Sequence, residues 1–157
     1  MLFTCLLPAS VTLSTPQDLD FWVGDWKMAS HSRNSYDSDA FSEGTATNKV
    51  VRNWEGKVIE EDFHSQGFNG RSWSVFNPKT KRWSQTWVDD SGAYMLFEGG
   101  KVADKVILSS TQGSPAKRQR MVFSKITPKS FTWEWEESRD GGKGWKLMWE
   151  LKYERIS

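Results

Sequence analysis

The segment EEDFH at residues 60–64 carries the residue types that acid–base catalysis requires. A histidine beside carboxylates can act as a general base near neutral pH, and an enclosed carboxyl group can do so once burial raises its pKa. Alternation along a strand places Glu61 and Phe63 on one face and Asp62 and His64 on the other. Because the first face is the more apolar, we expect Glu61 inside the fold and Asp62 and His64 in solvent, although a β-bulge would reverse the two faces.

Asp89 is the second candidate for acid–base chemistry. It follows Trp83, Gln85 and Trp87 at alternate positions, so the four side chains share one face of a strand. We expect Gln85 and Asp89 to be the polar groups nearest a barrel interior, with Asp89 as an enclosed carboxylate whose pKa is raised. The alternative is that Asp89 stabilises a turn in the sequence DDSG at residues 89–92.

The aromatic residues are the third feature with chemical consequences, because the chain of 157 residues contains 10 Trp, 9 Phe and 3 Tyr. A tryptophan buries a large apolar area, but its N–H group needs a hydrogen-bond partner, so many tryptophans indicate pockets as well as a filled core. An aromatic interior with a few polar groups is the usual form of a site for a small apolar or aromatic ligand. The residues predicted to line such a site are Trp83, Gln85, Trp87, Trp133 and Trp149.

The elements that must position these residues are β-strands. Tryptophans four residues apart, such as Trp83 and Trp87, fit one face of a helix or of a strand. The polarity of the residues between them distinguishes the two structures. In this pair they are Ser, Gln and Thr, and the segment FTWEWEES at residues 131–138 begins with strict alternation of aromatic and polar side chains. Period two therefore predicts strands. The side chains expected in the interior are Trp22, Trp26, Phe63, Trp83, Trp87, Phe131, Trp133, Trp135, Leu147, Trp149 and Leu151.

Turn signals divide the chain into about nine or ten candidate strands. Sequences such as NG at 69–70, NPKT at 77–80 and DGG at 140–142 recur mostly at intervals of roughly eight to fifteen residues, the spacing of an up-and-down antiparallel meander. A sheet of that length tends to curl, and closure into a barrel removes its exposed edges. We predict an all-β fold, a single antiparallel barrel of eight to ten strands at residues 18–157, with a β-sandwich as the alternative.

Residues 1–17 are predicted to be an N-terminal arm or the remnant of an export signal. Residues 1–14 are apolar and small and contain no Lys or Arg, which resembles the apolar part of a secretory signal without its basic start. The segment is too short to span a bilayer. Localisation therefore stays open between the cytoplasm and export. Cys5 is the only cysteine, which excludes an internal disulfide and a cysteine-based zinc site.

Charge and motifs exclude several functional classes. The chain has 21 Lys and Arg against 20 Asp and Glu, a formal net charge of +1, so no overall field favours nucleic acid or an anionic membrane. The sequence contains no phosphate-binding loop, no HExxH motif and no GxSxG motif. We predict no metal, no cofactor, no nucleic-acid partner and no integral membrane association, and the oligomeric state stays open.

The sequence SRDGGKGW at residues 138–145 matches the Asp-box of sialidases in its Ser, Asp, Gly and Trp positions. That motif stabilises a hairpin turn, in which the Asp accepts hydrogen bonds from backbone N–H groups and the Trp packs beneath. A sialidase propeller needs a far longer chain, so we predict a turn here and no sugar chemistry.

Four stretches of the chain resemble a bacterial family of small calycin-like, or lipocalin-like, domains of largely unknown function. They are DLDFWVGDW (18–26), FNPKTKRWSQTWVDDSG (76–92), ITPKSFTWEWEESRDGGKGW (126–145) and LKYERIS (151–157). In the first stretch, Gly24-Asp25-Trp26 is similar to the Gly-x-Trp signature of calycins. The resemblance implies a barrel in which Trp26 closes one end and a basic residue after the last strand, Arg155, packs across the indole.

Three functions are compatible with such a barrel. The leading hypothesis is binding of a small apolar or aromatic ligand by the Trp-lined interior. The alternative is a cyclase-like or isomerase-like enzyme that uses Glu61 or Asp89 as acid or base, so whether the chain is an enzyme stays open. The third is a structural or interaction module whose barrel is filled by its own side chains.

Overall fold

Ten β-strands make up most of the computed structural model, which describes residues 13–156. The strands are β1 (Gly24–Arg33), β2 (Phe41–Asn53), β3 (Val58–Ser65), β4 (Asn69–Asn77), β5 (Arg82–Asp89), β6 (Tyr94–Val102), β7 (Lys105–Ser110), β8 (Arg118–Ser124), β9 (Ser130–Ser138) and β10 (Lys146–Arg155). A 3₁₀ turn at Asp20–Trp22 precedes β1. Within residues 13–156, no helix has the length and apolar character needed to cross a bilayer. The predicted all-β fold is confirmed, whereas Cys5 and most of the proposed export signal lie outside the described residues.

The strands close into one antiparallel barrel. Each strand pairs with its neighbours in the chain, and β10 pairs with β1 to complete the ring. This is the up-and-down meander that the turn spacing predicts, and the alternative of a β-sandwich is wrong. At the seam between β1 and β10, Trp26 lies opposite Arg155 and Ser32 lies opposite Trp149. Because the ring is closed, alternate side chains of the strands point into one shared interior.

One end of the barrel, which we call the closed end, is covered by residues 14–23. This segment leads into β1, and its Leu19 and Trp22 side chains are buried in the barrel core. The Trp83 indole N–H holds the segment by donating a hydrogen bond to the carbonyl of Thr15, at 3.2 Å. The described part of the predicted N-terminal arm therefore packs against the barrel.

Trp26 and Arg155 lie at the centre of the closed end. Trp26 is fully buried, and the Arg155 guanidinium carbon is 4.1 Å from the centre of the indole ring. Arg155 also donates hydrogen bonds to the carbonyls of Pro128 (2.9 Å), Val23 (2.9 Å) and Phe21 (3.1 Å). One side chain of the last strand thus joins the segment before β1 to the β8–β9 turn.

Gly24 makes room for this arrangement. Its backbone has a φ of +147°, a conformation that favours glycine, and a Cβ atom at this position would overlap the Arg155 guanidinium. The first residue of the Gly-x-Trp motif therefore keeps open the space beside Trp26 that the guanidinium occupies.

The side chains predicted for the interior lie there, with one exception. The fully buried ones are Trp22, Trp26, Phe63, Trp83, Phe131 and Leu151, and the half-buried ones are Trp87, Trp133, Trp135 and Trp149. The exception is Leu147, which lies opposite Glu136, whereas Trp149 lies opposite Trp135. A β-bulge between Leu147 and Trp149 shifts the register, and the extra residue reverses the face that the side chains occupy. Leu147 is therefore on the outer face, and the prediction for it is wrong.

The hairpin between β9 and β10 has the turn that the Asp-box pattern predicts. Asp140 Oδ1 accepts hydrogen bonds from the backbone amides of Lys143 (3.0 Å) and Gly144 (2.9 Å). The Ser138 hydroxyl donates to the same oxygen at 2.7 Å. The motif is thus accounted for by turn geometry.

Candidate functional site

A cavity of about 300 Å³ occupies the barrel interior beyond the closed end. Trp22 and Tyr153 form part of its floor, on the side of the closed end, while Phe68 and Asp89 border it at the other side. Phe68 lies in the turn between β3 and β4, and Asp89 is the last residue of β5. In an up-and-down barrel both positions are at the end opposite the start of β1. The mouth of the cavity therefore lies at the end away from residues 14–23.

Four tryptophans contribute to the cavity wall. The rings of Trp133 and Trp135 are parallel to within 13° with their centres 6.4 Å apart, and Trp149 meets Trp133 edge-on at 5.3 Å. Phe63 links Trp149 to the fourth, Trp87, through edge-on contacts of 5.8 Å and 5.9 Å. All four tryptophans are half-buried. The wall thus offers flat aromatic surfaces that the protein core does not cover completely.

The Trp87 ring is held in place by two neighbours. Its N–H group donates a hydrogen bond to Asp89 Oδ2 at 2.8 Å. On the adjacent strand β4, Gly70 lies so close to the ring that a Cβ atom there would overlap it. The absence of a side chain at Gly70 allows the indole to rest against the backbone of β4.

Asp89 lies at the rim of the cavity as a turn-stabilising carboxylate. Partial burial raises its pKa, but several hydrogen bonds together outweigh that effect and hold the pKa below its usual value. The donors are the Ser91 hydroxyl (2.6 Å), the Trp87 indole (2.8 Å) and the amides of Ser91 (3.0 Å) and Ala93 (3.1 Å). The predicted raised pKa is therefore wrong, and Asp89 has the turn chemistry of the alternative interpretation.

Glu61 reaches the cavity from β3, and its pKa is shifted in the opposite direction from that of Asp89. It is only 8% exposed, as its position in the alternating pattern predicts. Its Oε1 accepts a hydrogen bond from Asn48 Nδ2 at 2.6 Å, and its Oε2 accepts one from the Ser72 hydroxyl at 2.6 Å. Burial raises the pKa of Glu61 from 4.5 to about 7, although the hydrogen bonds from Ser72 and Asn48 partly oppose the shift. Such a carboxyl group can both donate and accept a proton near neutral pH.

Tyr153 and Trp22 extend the polar floor beyond Glu61. The buried Tyr153 hydroxyl accepts a hydrogen bond from Asn48 Nδ2 at 3.1 Å. Burial, followed by the nearby Glu61 carboxylate, raises the pKa of Tyr153 well above 10, while Asn48 and Trp22 act in the other direction. The hydroxyl therefore keeps its proton at physiological pH. Trp22 Nε1 is buried and has no hydrogen-bond partner among residues 13–156.

The side chains predicted to line a ligand site separate into two groups. Gln85, Trp87, Trp133 and Trp149 border the cavity, but Trp83 does not. Trp83 is buried at the closed end, with its ring centre 5.7 Å from that of Phe76. Trp83 and Trp87 share one face of β5, yet four residues of strand separate them by roughly 13 Å along the chain. Alternation predicts the face of a side chain but not its depth in the barrel.

Sequence reasoning missed the polar partners of Glu61. Ser72 lies directly opposite Glu61 in the β3–β4 pairing, and Asn48 lies diagonally across from it in the β2–β3 pairing. Small polar residues are usually exposed, so their residue type alone suggests solvent. Strand register was the signal that could have placed them beside Glu61. Tyr153 alternates with Leu151 on the buried face of β10, and nothing in the sequence marks its hydroxyl as part of a site.

Asp62 and His64 lie on the outer surface of the barrel, as predicted. His64 Nε2 is 3.2 Å from Asp62 Oδ1, and Arg71 approaches the other oxygen of the same carboxylate at 3.2 Å. Across the part of the chain that the structure describes, no group of three His, Cys, Asp or Glu side chains is placed as metal ligands would be. The polar groups of the cavity floor are therefore the candidate functional groups.

Comparisons with known proteins identify a family and several structural neighbours, two of which are described here. The family model described as "Protein of unknown function (DUF1579)" matches residues 14–155. The S-type phycobiliprotein lyase CPES from Guillardia theta is 12% identical, with a TM-score of 0.61 over 92% of this chain and 93% of that one. Rv2717c from M. tuberculosis is also 12% identical, with a TM-score of 0.59 over 93% of this chain and 100% of that one. No curated protein matches the chain. At these identities the likeness shows a shared fold.

Proposed function

The chain belongs to the DUF1579 family of unknown function, and we propose that it binds a small, flat, mainly apolar molecule inside its barrel. The observation that carries this proposal is the contrast within one interior: the closed end is filled, whereas the half-buried tryptophans border a cavity of about 300 Å³. Aromatic surface left uncovered in a concave site is the usual sign of a ligand. We also propose that the chain is related to the calycins, because Gly24-Asp25-Trp26 resembles their Gly-x-Trp signature and a ligand site inside a barrel is compatible with that relationship.

The size and shape of the cavity limit the ligand. A volume of about 300 Å³ lies at the lower end of the range for small-molecule sites and corresponds to about ten water molecules in the liquid. The parallel Trp133 and Trp135 rings, with Trp149 edge-on to the first, favour a planar molecule of one or two rings. Aromatic side chains bind such molecules by offset stacking and by edge-to-face contact.

The comparison with the phycobiliprotein lyase lends general support. That protein has an enzyme name and the same ten-stranded architecture at 12% identity. An activity is therefore attached to this fold elsewhere, which favours a functional interior over a purely structural one in this chain.

Binding is tested by titrating the protein with a panel of aromatics, terpenoids, fatty acids and haem, followed by tryptophan fluorescence and by calorimetry. We expect saturable binding of small aromatics that is lost in Trp133→Ala. Trp54→Phe is the matched control, because Trp54 is 74% exposed in the β2–β3 turn and its loss lowers total fluorescence without touching the cavity. If no compound of the panel binds, the third hypothesis of a structural or interaction module replaces this proposal.

A second candidate function is acid–base catalysis by Glu61. The specific observation in its favour is that Glu61 borders the cavity with a pKa of about 7, so that it can exchange a proton with a bound molecule. We expect turnover of a bound compound to follow a titration near pH 7 and to be lost in Glu61→Gln while binding persists. Turnover that is unchanged in Glu61→Gln would rule out this role.

A further inference from the structure

The cavity floor contains hydrogen-bond donors that the protein leaves unused. Trp22 Nε1 is buried and has no partner within residues 13–156. The Tyr153 hydroxyl accepts a hydrogen bond from Asn48 at 3.1 Å, which leaves its own proton available for donation. A buried donor without an acceptor is unfavourable. A bound molecule that supplies an acceptor would remove this deficit.

The two donors lie at the same part of the cavity floor. Trp22 and Tyr153 both border the cavity, and the Trp22 indole is close enough to the Tyr153 oxygen to lower its pKa against the larger effects of burial and of Glu61. The indole N–H lies near that oxygen but outside hydrogen-bond geometry, and it has no other acceptor within residues 13–156, so the hydroxyl does not satisfy it. A carbonyl oxygen has two lone pairs, so one such atom can accept from both donors at once.

Glu61 decides the charge of the group that fits here. It shares Asn48 Nδ2 with Tyr153, at 2.6 Å from Glu61 Oε1 and 3.1 Å from the hydroxyl, so its carboxyl group lies beside the same spot. Among the lining residues that the structure describes, none is Lys or Arg. An anionic ligand group would therefore be buried next to a carboxylate with no positive charge to compensate.

We propose that the cavity floor is a subsite for a neutral carbonyl oxygen, held by the indole N–H of Trp22 and the hydroxyl of Tyr153. The ligand is then a flat apolar molecule whose inner end is a ketone, aldehyde, ester or amide and whose rings lie along Trp133 and Trp149. This inference rests on the proposed binding function, to which it adds the chemical class of the ligand and its orientation.

The test uses three probes of one ring system, measured by calorimetry with the full chain at pH 8. They are 2-ethylnaphthalene, which has no polar atom, 2-acetylnaphthalene, which has a neutral carbonyl, and 2-naphthoate, which has a carboxylate. We expect 2-acetylnaphthalene to bind about tenfold more tightly than 2-ethylnaphthalene, since two hydrogen bonds to unused donors are gained. The carboxylate should bind most weakly.

Variants then locate the effect. Tyr153→Phe removes the hydroxyl and Trp22→Phe removes the N–H group, and each keeps an aromatic ring, so each should reduce the tenfold preference to about twofold or less. Trp133→Phe is the matched control, because it removes an indole from the wall and should weaken the acetyl and ethyl probes equally. Thermal unfolding checks that each variant is folded. If one of the two floor variants does not fold, the other variant by itself still tests the subsite.

The possible results separate the two proposals. Equal affinity for the acetyl and ethyl probes, a preference unchanged in the floor variants, or tightest binding of 2-naphthoate overturns the carbonyl subsite and leaves the binding function intact. Absence of binding by all three probes, together with the wider panel, overturns the binding function and the subsite with it.

Discussion

The tryptophans of the closed end and those of the cavity wall differ in the partners of their N–H groups. At the closed end, Trp26 donates to the carbonyl of Trp22 at 2.8 Å and Trp83 donates to the carbonyl of Thr15 at 3.2 Å. In the wall, the partners are side chains, since Trp87 donates to Asp89 and Trp149 donates to a serine hydroxyl, both at 2.8 Å. Trp26 and Trp83 are thus tied to the backbone of the segment that covers the closed end, whereas Trp87 and Trp149, two of the four wall tryptophans, are oriented by side chains.

This difference shows that tryptophan contributes to stability at one end of the interior and to a ligand site at the other. A fully buried indole with a backbone partner gains its full apolar area and satisfies its polar group. A half-buried indole that faces a cavity gives up part of that gain and keeps a surface for a ligand. Trp22, which lies between the two regions and has no partner for its N–H group, belongs to both.

The largest expected effect tests whether the closed end carries the stability. Trp26→Ala should lower the free energy of unfolding by about 4 kcal/mol, because a fully buried indole leaves a cavity. Trp133→Ala, in the wall, should cost about half as much, since its ring is only half-buried. Urea unfolding followed by circular dichroism measures both. Equal losses would mean that the two regions do not differ in the way described.

The second effect concerns Glu61 and pH. The unfolded chain releases this proton near the ordinary glutamate pKa of 4.5, whereas burial raises the pKa in the folded protein to about 7. Between these values the folded state binds more protons, so stability should fall as pH rises, by about 3 kcal/mol in total, and it should level off above pH 7. The contribution is fully present below pH 4.5.

Glu61→Gln isolates this contribution from the other titrating groups. Because glutamine stays neutral, the difference in unfolding free energy between the variant and the wild type should shift in favour of the variant as pH rises from 4.5 to 7. Urea unfolding at several pH values gives that difference. A difference that is constant across the range would show that Glu61 is not perturbed by burial.

The third effect probes the contact between Trp26 and Arg155. In a double-mutant cycle with Trp26→Ala and Arg155→Ala, the double variant should lose about 1 kcal/mol less than the sum of the single losses, since a cation–π contact is removed only once. Arg155→Lys is the control that keeps the charge but cannot form the forked hydrogen bonds to three carbonyls. Strict additivity would mean that the two side chains do not interact in solution.

The variant with the smallest expected loss of stability, Gly70→Ala, should have a clear effect on ligand binding at the cavity wall. Gly70→Ala places a Cβ atom against the Trp87 ring, which must shift, so we expect a loss of about 1 kcal/mol in stability. Binding of 2-ethylnaphthalene should weaken several-fold because the ring moves within the wall. Gly67→Ala is the matched control, since no atom lies within 4 Å of a Cβ atom at that position. Equal binding in the two variants would show that Trp87 is not part of the site.

The fold was more predictable from sequence than the site was. Alternation and turn spacing are local properties, so they identified the strands and the inward orientation of Glu61. They failed at Leu147, where a β-bulge breaks the alternation, and they could not separate Trp83 from Trp87, which share a face but lie at different depths. Asp89 was misjudged because its local turn supplies hydrogen bonds that outweigh burial.

The polar floor was beyond sequence reasoning for a different reason. Asn48, Ser72 and Tyr153 surround Glu61 only after β2, β3, β4 and β10 have been set in register. Each is unremarkable in its own strand. What makes them a site is the register of the two hairpins around β3 together with the closure of β10 onto β1, and alternation within a single strand predicts neither.

The seam between β1 and β10 also determines when the cavity comes into existence during folding. Nine of the strand pairings join chain neighbours and can form as hairpins, but the tenth joins segments as far apart as Val23 and Arg155, which are 132 positions apart in the sequence. Closing so long a loop is entropically unfavourable and slow. In a folding chain the inward faces of Trp87 and its neighbours therefore stay open to solvent until β10 pairs with β1, and that interval is when chaperone binding or aggregation competes with folding.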